Sequence, residues 1–217
     1  MKLYNIPATV TALIFDIDST LYTNPEYTFE QTDVQVRHYA QLQHISYDEA
    51  KQRITAVQEL YKKENPGKTL SFGNTMVALG YSIEESIRWR ETLFSPEQFL
   101  SQDPRLQQTL ALLQPHFAMI CVTNNPTIPA RKTLEALGVS TYFQDIIALD
   151  TTKVSKPHPL PLAMALEKTK SLPQQTVSIG DRYTIDIELP VKMGMGGILV
   201  SGVEEVYDIP RILLPKT

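Results

Sequence analysis

Short apolar runs, each closed by turn-forming or charged residues, set the rhythm of this chain from residue 11 onward. The runs Thr11 to Phe15, Phe117 to Val122, Ile146 to Leu149, Thr176 to Ile179 and Gly197 to Val200 read as strands. Each is about five residues long and close to unbroken in hydrophobicity, as strands buried on both faces of a parallel sheet require. Between the last four lie helix-patterned stretches near Pro129 to Leu137, Leu160 to Lys168 and Asp186 to Lys192. Alternation of this kind predicts an α/β fold with a doubly wound parallel sheet.

Residues 22–100 break the rhythm, with few strand-like runs and several helix starts. In "SYDEA", Ser46 is followed three residues later by Glu49, the pattern of a capping box, and Ser82 with Glu85 repeats it in "SIEES". Asp103-Pro104 reads as an N-cap followed by proline at the first helical position, opening a helix through Leu113. The expected organisation is a Rossmann-like α/β core formed by residues 1–21 and 101–217, interrupted after its first strand by a helical cap domain, residues 22–100. No internal repeat, low-complexity tract or Gly/Ser linker is present.

Composition narrows the function classes. The chain has 217 residues, enough for one domain carrying an insertion. A net charge of −4 with no basic stripe argues against a nucleic-acid polymer as partner. The single cysteine, Cys121, lies in an apolar run, reads as core, and cannot form an internal disulfide, which fits a reducing compartment. "MKLYNIPATV" lacks the apolar stretch of a secretory signal, and no run approaches the roughly 18 residues a membrane span needs. A cytoplasmic protein without a membrane partner is expected, with monomer and homodimer both open.

Polar residues gather where the strands end. Asp16 and Asp18 close the first strand, Thr123 and Asn124 follow the second, Lys156 follows the third in "VSKPHP", and Asp181 and Asp186 follow the fourth in "SIGDRYTID". In an open parallel sheet these positions share the crevice beyond the carboxyl ends of the strands. Acidic oxygens from Asp16 and Asp181, with Asp186 as a further candidate, suit Mg²⁺, a hard cation that binds carboxylates together with substrate phosphate. Thr123 and Lys156 are donors a phosphate would need. A carboxylate can attack phosphorus, and a second carboxyl two residues away can protonate the leaving oxygen and then activate water. Taken singly, each motif has a plainer reading: a strand-end turn for the aspartate pair, an N-cap and turn for Thr123-Asn124, a surface lysine, a first-turn acid at Asp186. Their convergence favours the chemical one.

The order "DIDST", "VTN", "SKP" and "GDRYTID" resembles the haloacid dehalogenase superfamily of hydrolases, and the resemblance covers residue 11 to about 200. It implies Asp16 as nucleophile and Asp18 as general acid/base, whose backbone carbonyl also binds metal. It further implies Thr123 as phosphate-binding hydroxyl, with Asn124 beside it, Lys156 as charge stabiliser, Asp181 as metal ligand and Asp186 as second acidic position. Arg182 and Ile185 stand where many relatives carry Ser and Asn, and Pro190 replaces a usual alanine. The insertion matches the helical cap placed behind the first motif, which restricts substrates to small phosphorylated metabolites. "YKKENPGKTL" followed by "MVALG" resembles pyrimidine 5′-nucleotidase-like members, which implies a nucleoside 5′-monophosphate.

A Mg²⁺-dependent phosphatase is the leading expectation. A haloacid dehalogenase needs no second aspartate such as Asp18, and a phosphonate hydrolase would want a Schiff-base lysine, for which Lys62, Lys63 and Lys68 offer no distinguishing context. A phosphomutase uses the same acids. A receiver-like signalling module shares the acidic pocket but carries its phosphorylated aspartate on a later strand. His38, His44, His116 and His158 form no metal-ligating set. Eleven of the 18 aromatic residues fall between Tyr22 and Phe99, which fits a helical-bundle core better than a base-stacking face.

Overall fold

The computed structural model describes residues 1–66 and 70–215. The chain divides into two compact units, Met1–Pro25 with Pro96–Thr217 and the inserted Glu26–Ser95. Among the described residues the first unit holds one six-stranded sheet: β1 (Lys2–Tyr4), β2 (Ala12–Phe15), β3 (Ala118–Val122), β4 (Ile146–Ile147), β5 (Thr176–Gly180) and β6 (Gly196–Leu199), in the order β1-β6-β5-β2-β3-β4. All neighbouring pairs are parallel except β1 with β6. The chain leaves β2 toward β3 and β4, then crosses back to β5 and β6. The sheet therefore changes winding direction beside β2, where an open α/β sheet binds its ligand.

β2 and β5 are buried at every position, because the sheet is covered on both faces. Two expectations change. β1, absent from the sequence reading, is a three-residue antiparallel edge strand with a mostly exposed pattern. The third expected strand shortens to Ile146–Ile147, and Leu149 instead opens the short helix Leu149–Thr152.

Helix boundaries follow local chemistry. In the helix Pro104–Leu113, Asp103 Oδ1 accepts from the backbone N–H groups of Arg105 and Leu106 at 3.0 and 2.9 Å. Such a cap contributes about 1 kcal/mol. In the helix Ile83–Leu93, the Ser82–Glu85 box is complete in both directions, at 3.1 and 2.7 Å. Only half of the expected box forms at Tyr47–Glu64: Ser46 Oγ accepts from Glu49 N–H at 3.2 Å, while the Glu49 carboxylate accepts from Arg53 at 2.6 Å.

The inserted unit is built from the helices Pro25–Gln43, Tyr47–Glu64, Phe72–Ala78 and Ile83–Leu93. Several of its aromatics serve its core: Tyr39 and Trp89 are buried with Met76 and Ile54, and Tyr81 packs edge-on against both rings. His38 meets the Trp89 ring edge-on, a packing role. Part of "YKKENPGKTL", including Lys68, lies outside the described residues. No described helix is long and apolar enough to cross a membrane.

Candidate active site

At the end of β2 the Asp16 N–H continues the parallel ladder, donating to Ile179 O at 2.9 Å. The chain then turns sharply: Leu21 N–H donates to Ile17 O at 2.9 Å, and Ser19 takes the left-handed conformation at φ 58°. This turn leaves Asp16 buried and Asp18 half-buried. Thr20 Oγ1 donates to Asp16 Oδ2 at 3.3 Å.

Lys156 reaches from the loop after the helix Leu149–Thr152 to two carboxylates. Its Nζ is 2.6 Å from Asp16 Oδ1 and 2.7 Å from Asp186 Oδ1, and all three side chains are almost fully buried. Burial works against the ammonium charge, but the two carboxylates together hold its pKa above the usual lysine value. Burial pushes the Asp16 carboxyl up to about 7, against the pull of Lys156 and with Asp186 and Asp18 adding repulsion. The site thus crowds acids around one buried cation.

Asn124 does not point its amide at an open space. Its Oδ1 accepts from Lys156 N–H at 2.7 Å and its Nδ2 donates to Lys156 O at 3.3 Å. The side chain expected beside a phosphate therefore fixes the lysine's backbone. Thr123 is buried, and its Oγ1 accepts from Asn125 N–H at 3.1 Å.

Asp181 precedes a π-helical turn, Tyr183–Ile187, that contains Asp186, and the helix expected from residue 186 begins after it, at Glu188. Pro190 has no N–H to give the Asp186 carbonyl four residues earlier. Ser178 Oγ donates to that carbonyl instead, at 2.8 Å, and Arg182 N–H donates to Asp186 Oδ2 at 3.1 Å. The proline that departs from the family pattern is thus accommodated by a serine on β5. Gly180 is needed beneath the turn, since a Cβ there would lie 2.4 Å from Asp186 Cβ.

Asp16, Asp181 and Asp186 each offer a carboxylate oxygen within 4.8 Å of the others. Asp181 Oδ1 is buried and accepts no hydrogen bond among the described residues. Burial raises the Asp181 carboxyl above its ordinary value despite nearby Arg182, whose Nε stands 3.6 Å from that orphaned oxygen. An all-oxygen donor set with a starved carboxylate fits a hard divalent cation such as Mg²⁺. The Arg182 side chain is 52% exposed, and its charge is sustained against burial by Asp186, Asp16, Asp181 and Asp18.

Two side chains that the sequence reading did not single out also enter the site. Tyr22 Oη donates to Asp18 Oδ1 at 2.7 Å, and Asn125 Nδ2 donates to Asp18 Oδ2 at 2.9 Å. The spacing of four between Asp18 and Tyr22 was a usable signal; the contact with Asn125, across 107 residues, left none.

Comparison with known proteins agrees with this picture. A family model described as haloacid dehalogenase-like hydrolase matches residues 10–194. Phosphoglycolate phosphatase of Escherichia coli (strain K12) is 31% identical over 127 residues, which cover 55% of this chain and 50% of that protein. The chain thus matches about half the length of that relative. Pyrophosphatase PpaX of Bacillus pumilus is 25% identical over 180 residues, 81% of this chain and 76% of that one. The crystal structure of a HAD phosphatase from Thermococcus onnurineus shares the fold with a TM-score of 0.66 at 21% identity, over 94% of this chain and 98% of that one. A family match of this length, on a fold of the same kind, makes the chain a member of the haloacid dehalogenase-like hydrolases.

Proposed function

We propose that the protein is a Mg²⁺-dependent phosphatase that hydrolyses a small phosphate monoester through an aspartyl-phosphate on Asp16. The observation that carries this reading is the buried Asp16–Lys156–Asp186 cluster at the sheet's change of winding, with Asp18 two residues beyond Asp16. Asp16 attacks phosphorus and the bond to the leaving oxygen breaks, while Asp18 gives that oxygen a proton. Water then attacks the phosphorus of the acyl phosphate, Asp18 takes the water's proton, and Asp16 returns as a carboxylate. Thr123 and Lys156 bind the phosphate oxygens, and Asn124 acts by holding Lys156. Asp16, Asp181, Asp186 and the Asp18 carbonyl would hold Mg²⁺, which supplies positive charge that offsets the crowded acids and the substrate phosphate.

The similarity to a phosphoglycolate phosphatase and a pyrophosphatase supports phosphate chemistry. Asp18 favours it over dehalogenation, and release of free phosphate separates it from a phosphomutase and from a receiver-like module. The nucleoside 5′-monophosphate expectation rests on a segment only partly described, so phosphoglycolate joins UMP, CMP and sugar phosphates among the candidate substrates. The inserted helical unit acts as the cap, and the one free thiol, buried Cys121, fits a cytoplasmic setting.

The test is phosphate release from this panel with Mg²⁺, with and without chelator, for the parent and Asp16→Asn. Turnover that chelation and Asp16→Asn each abolish is expected. Undiminished activity in Asp16→Asn, or none from any ester in the parent, defeats the proposal.

A further inference from the structure

We propose that Tyr22 and Asn125 are positioning residues that clamp the Asp18 carboxylate from both sides and thereby fix the direction of its proton transfer. The inference rests on the acid/base role proposed for Asp18. Each Asp18 oxygen has its own donor: the Tyr22 hydroxyl on Oδ1 at 2.7 Å, and the Asn125 amide on Oδ2 at 2.9 Å. Thr123 Oγ1 reaches Oδ2 only at 3.5 Å, the limit of a hydrogen bond. Turning the carboxylate plane away from these donors would break both short bonds, so one orientation of the plane is held.

Both donors sit on backbone that is itself tied down. Tyr22 is 3% exposed and precedes Thr23, whose Oγ1 accepts from Val203 N–H at 3.0 Å. Asn24 then donates to Phe99 O at 2.8 Å. On the other side, Asn125 N–H donates to Thr123 Oγ1, and Asn125 O accepts from Leu149 N–H at 3.0 Å. A catalytic group acts efficiently when the residues around it are locked in this manner, because proton transfer is sensitive to distance and angle. Neither donor can replace Asp18: a tyrosine hydroxyl and an amide are poor acids and bases near neutral pH. Their effect must therefore pass through Asp18.

Tyr22→Phe removes one oxygen and keeps the ring, while Asn125→Ala removes the amide. For alkyl phosphates, whose leaving oxygen needs a proton, each substitution is expected to lower kcat/KM about tenfold. For p-nitrophenyl phosphate, whose leaving group departs without one, kcat/KM should fall by less than about threefold. A double-mutant cycle with Asp18→Asn gives the second reading, on kcat for p-nitrophenyl phosphate, which still includes the water step. In the Asp18→Asn background neither substitution should lower kcat by more than about twofold. Equal losses for both leaving-group classes, or losses that multiply fully with that of Asp18→Asn, overturn the clamp while the phosphatase reading stands. A parent protein that releases no phosphate overturns both. Melting temperatures of the single variants, measured alongside, separate a packing defect from a loss of orientation, since a packing defect would not discriminate between leaving groups.

Discussion

Asp16 is where stability and chemistry conflict most directly. Its carboxyl ordinarily titrates at 3.8, and in the folded protein burial lifts it to about 7, although Lys156 pulls the other way. A carboxyl that holds its proton more tightly when folded makes unfolding easier as pH rises, because the unfolded chain releases that proton first. In the metal-free protein this cost is absent near pH 4 and grows toward pH 7. Asp16→Asn removes the buried charge but also the ion pair with Lys156, which keeps Asp186 as partner at 2.7 Å. The balance favours the variant by on the order of 1 kcal/mol at pH 8, or about 2–4 °C in melting temperature for a chain of this size. Thermal melts with chelator should show Asp16→Asn more stable than the parent at pH 8 and level with it at pH 4. A variant less stable at pH 8 would mean that the Lys156 pair outweighs burial. Reactive sites commonly carry this trade-off between stability and function.

Elements differ in how plainly the sequence announces them. β2 and β3 are continuous apolar runs, β5 is a mostly apolar one, and all three end in polar residues, so their positions and the polar groups beyond them were readable directly. β1 was not, because its three residues pair antiparallel at an edge and alternate too briefly to show a period. The turn at Tyr183–Ile187 was legible as acidic but not as π-helical, since part of what holds it is Ser178 on another element. Asn124 shows the same limit: its neighbour Thr123 and its polarity were visible, while its bond to the Lys156 backbone is a product of folding. That turn carries the next prediction. Gly180→Ala places a methyl 2.4 Å from Asp186 Cβ and 2.7 Å from its Cγ, on a residue already held by Ser178 and Arg182. Overpacking of this kind costs about 1–3 kcal/mol. Moving Asp186 off Lys156 should also lower turnover by about tenfold or more. A stable Gly180→Ala protein with full activity would show that Asp186 can shift freely.

At the scale of the whole molecule, the insertion looks separable. The sheet unit has its own core around Ile14, Ile120, Val122, Ile147 and Leu162, and the helical unit has another around Tyr39, Met76 and Trp89. The two ends of the sheet unit that flank the insertion already meet, because Asn24 Nδ2 donates to Phe99 O at 2.8 Å. A four-residue Gly/Ser linker in place of residues 26–95 would then close a short loop at low entropic cost, instead of a long one. The shortened chain should unfold in one cooperative thermal transition and keep Asp16-dependent hydrolysis of p-nitrophenyl phosphate. Because the helical unit is the proposed cap, the order of preference among the natural phosphate esters should flatten in the same protein, with kcat/KM for the best of them falling by about tenfold or more. Aggregation or a non-cooperative melt would show that the sheet unit needs the helical one to fold. An unchanged preference order in a folded, active protein would place specificity in the sheet unit and remove the cap from that role.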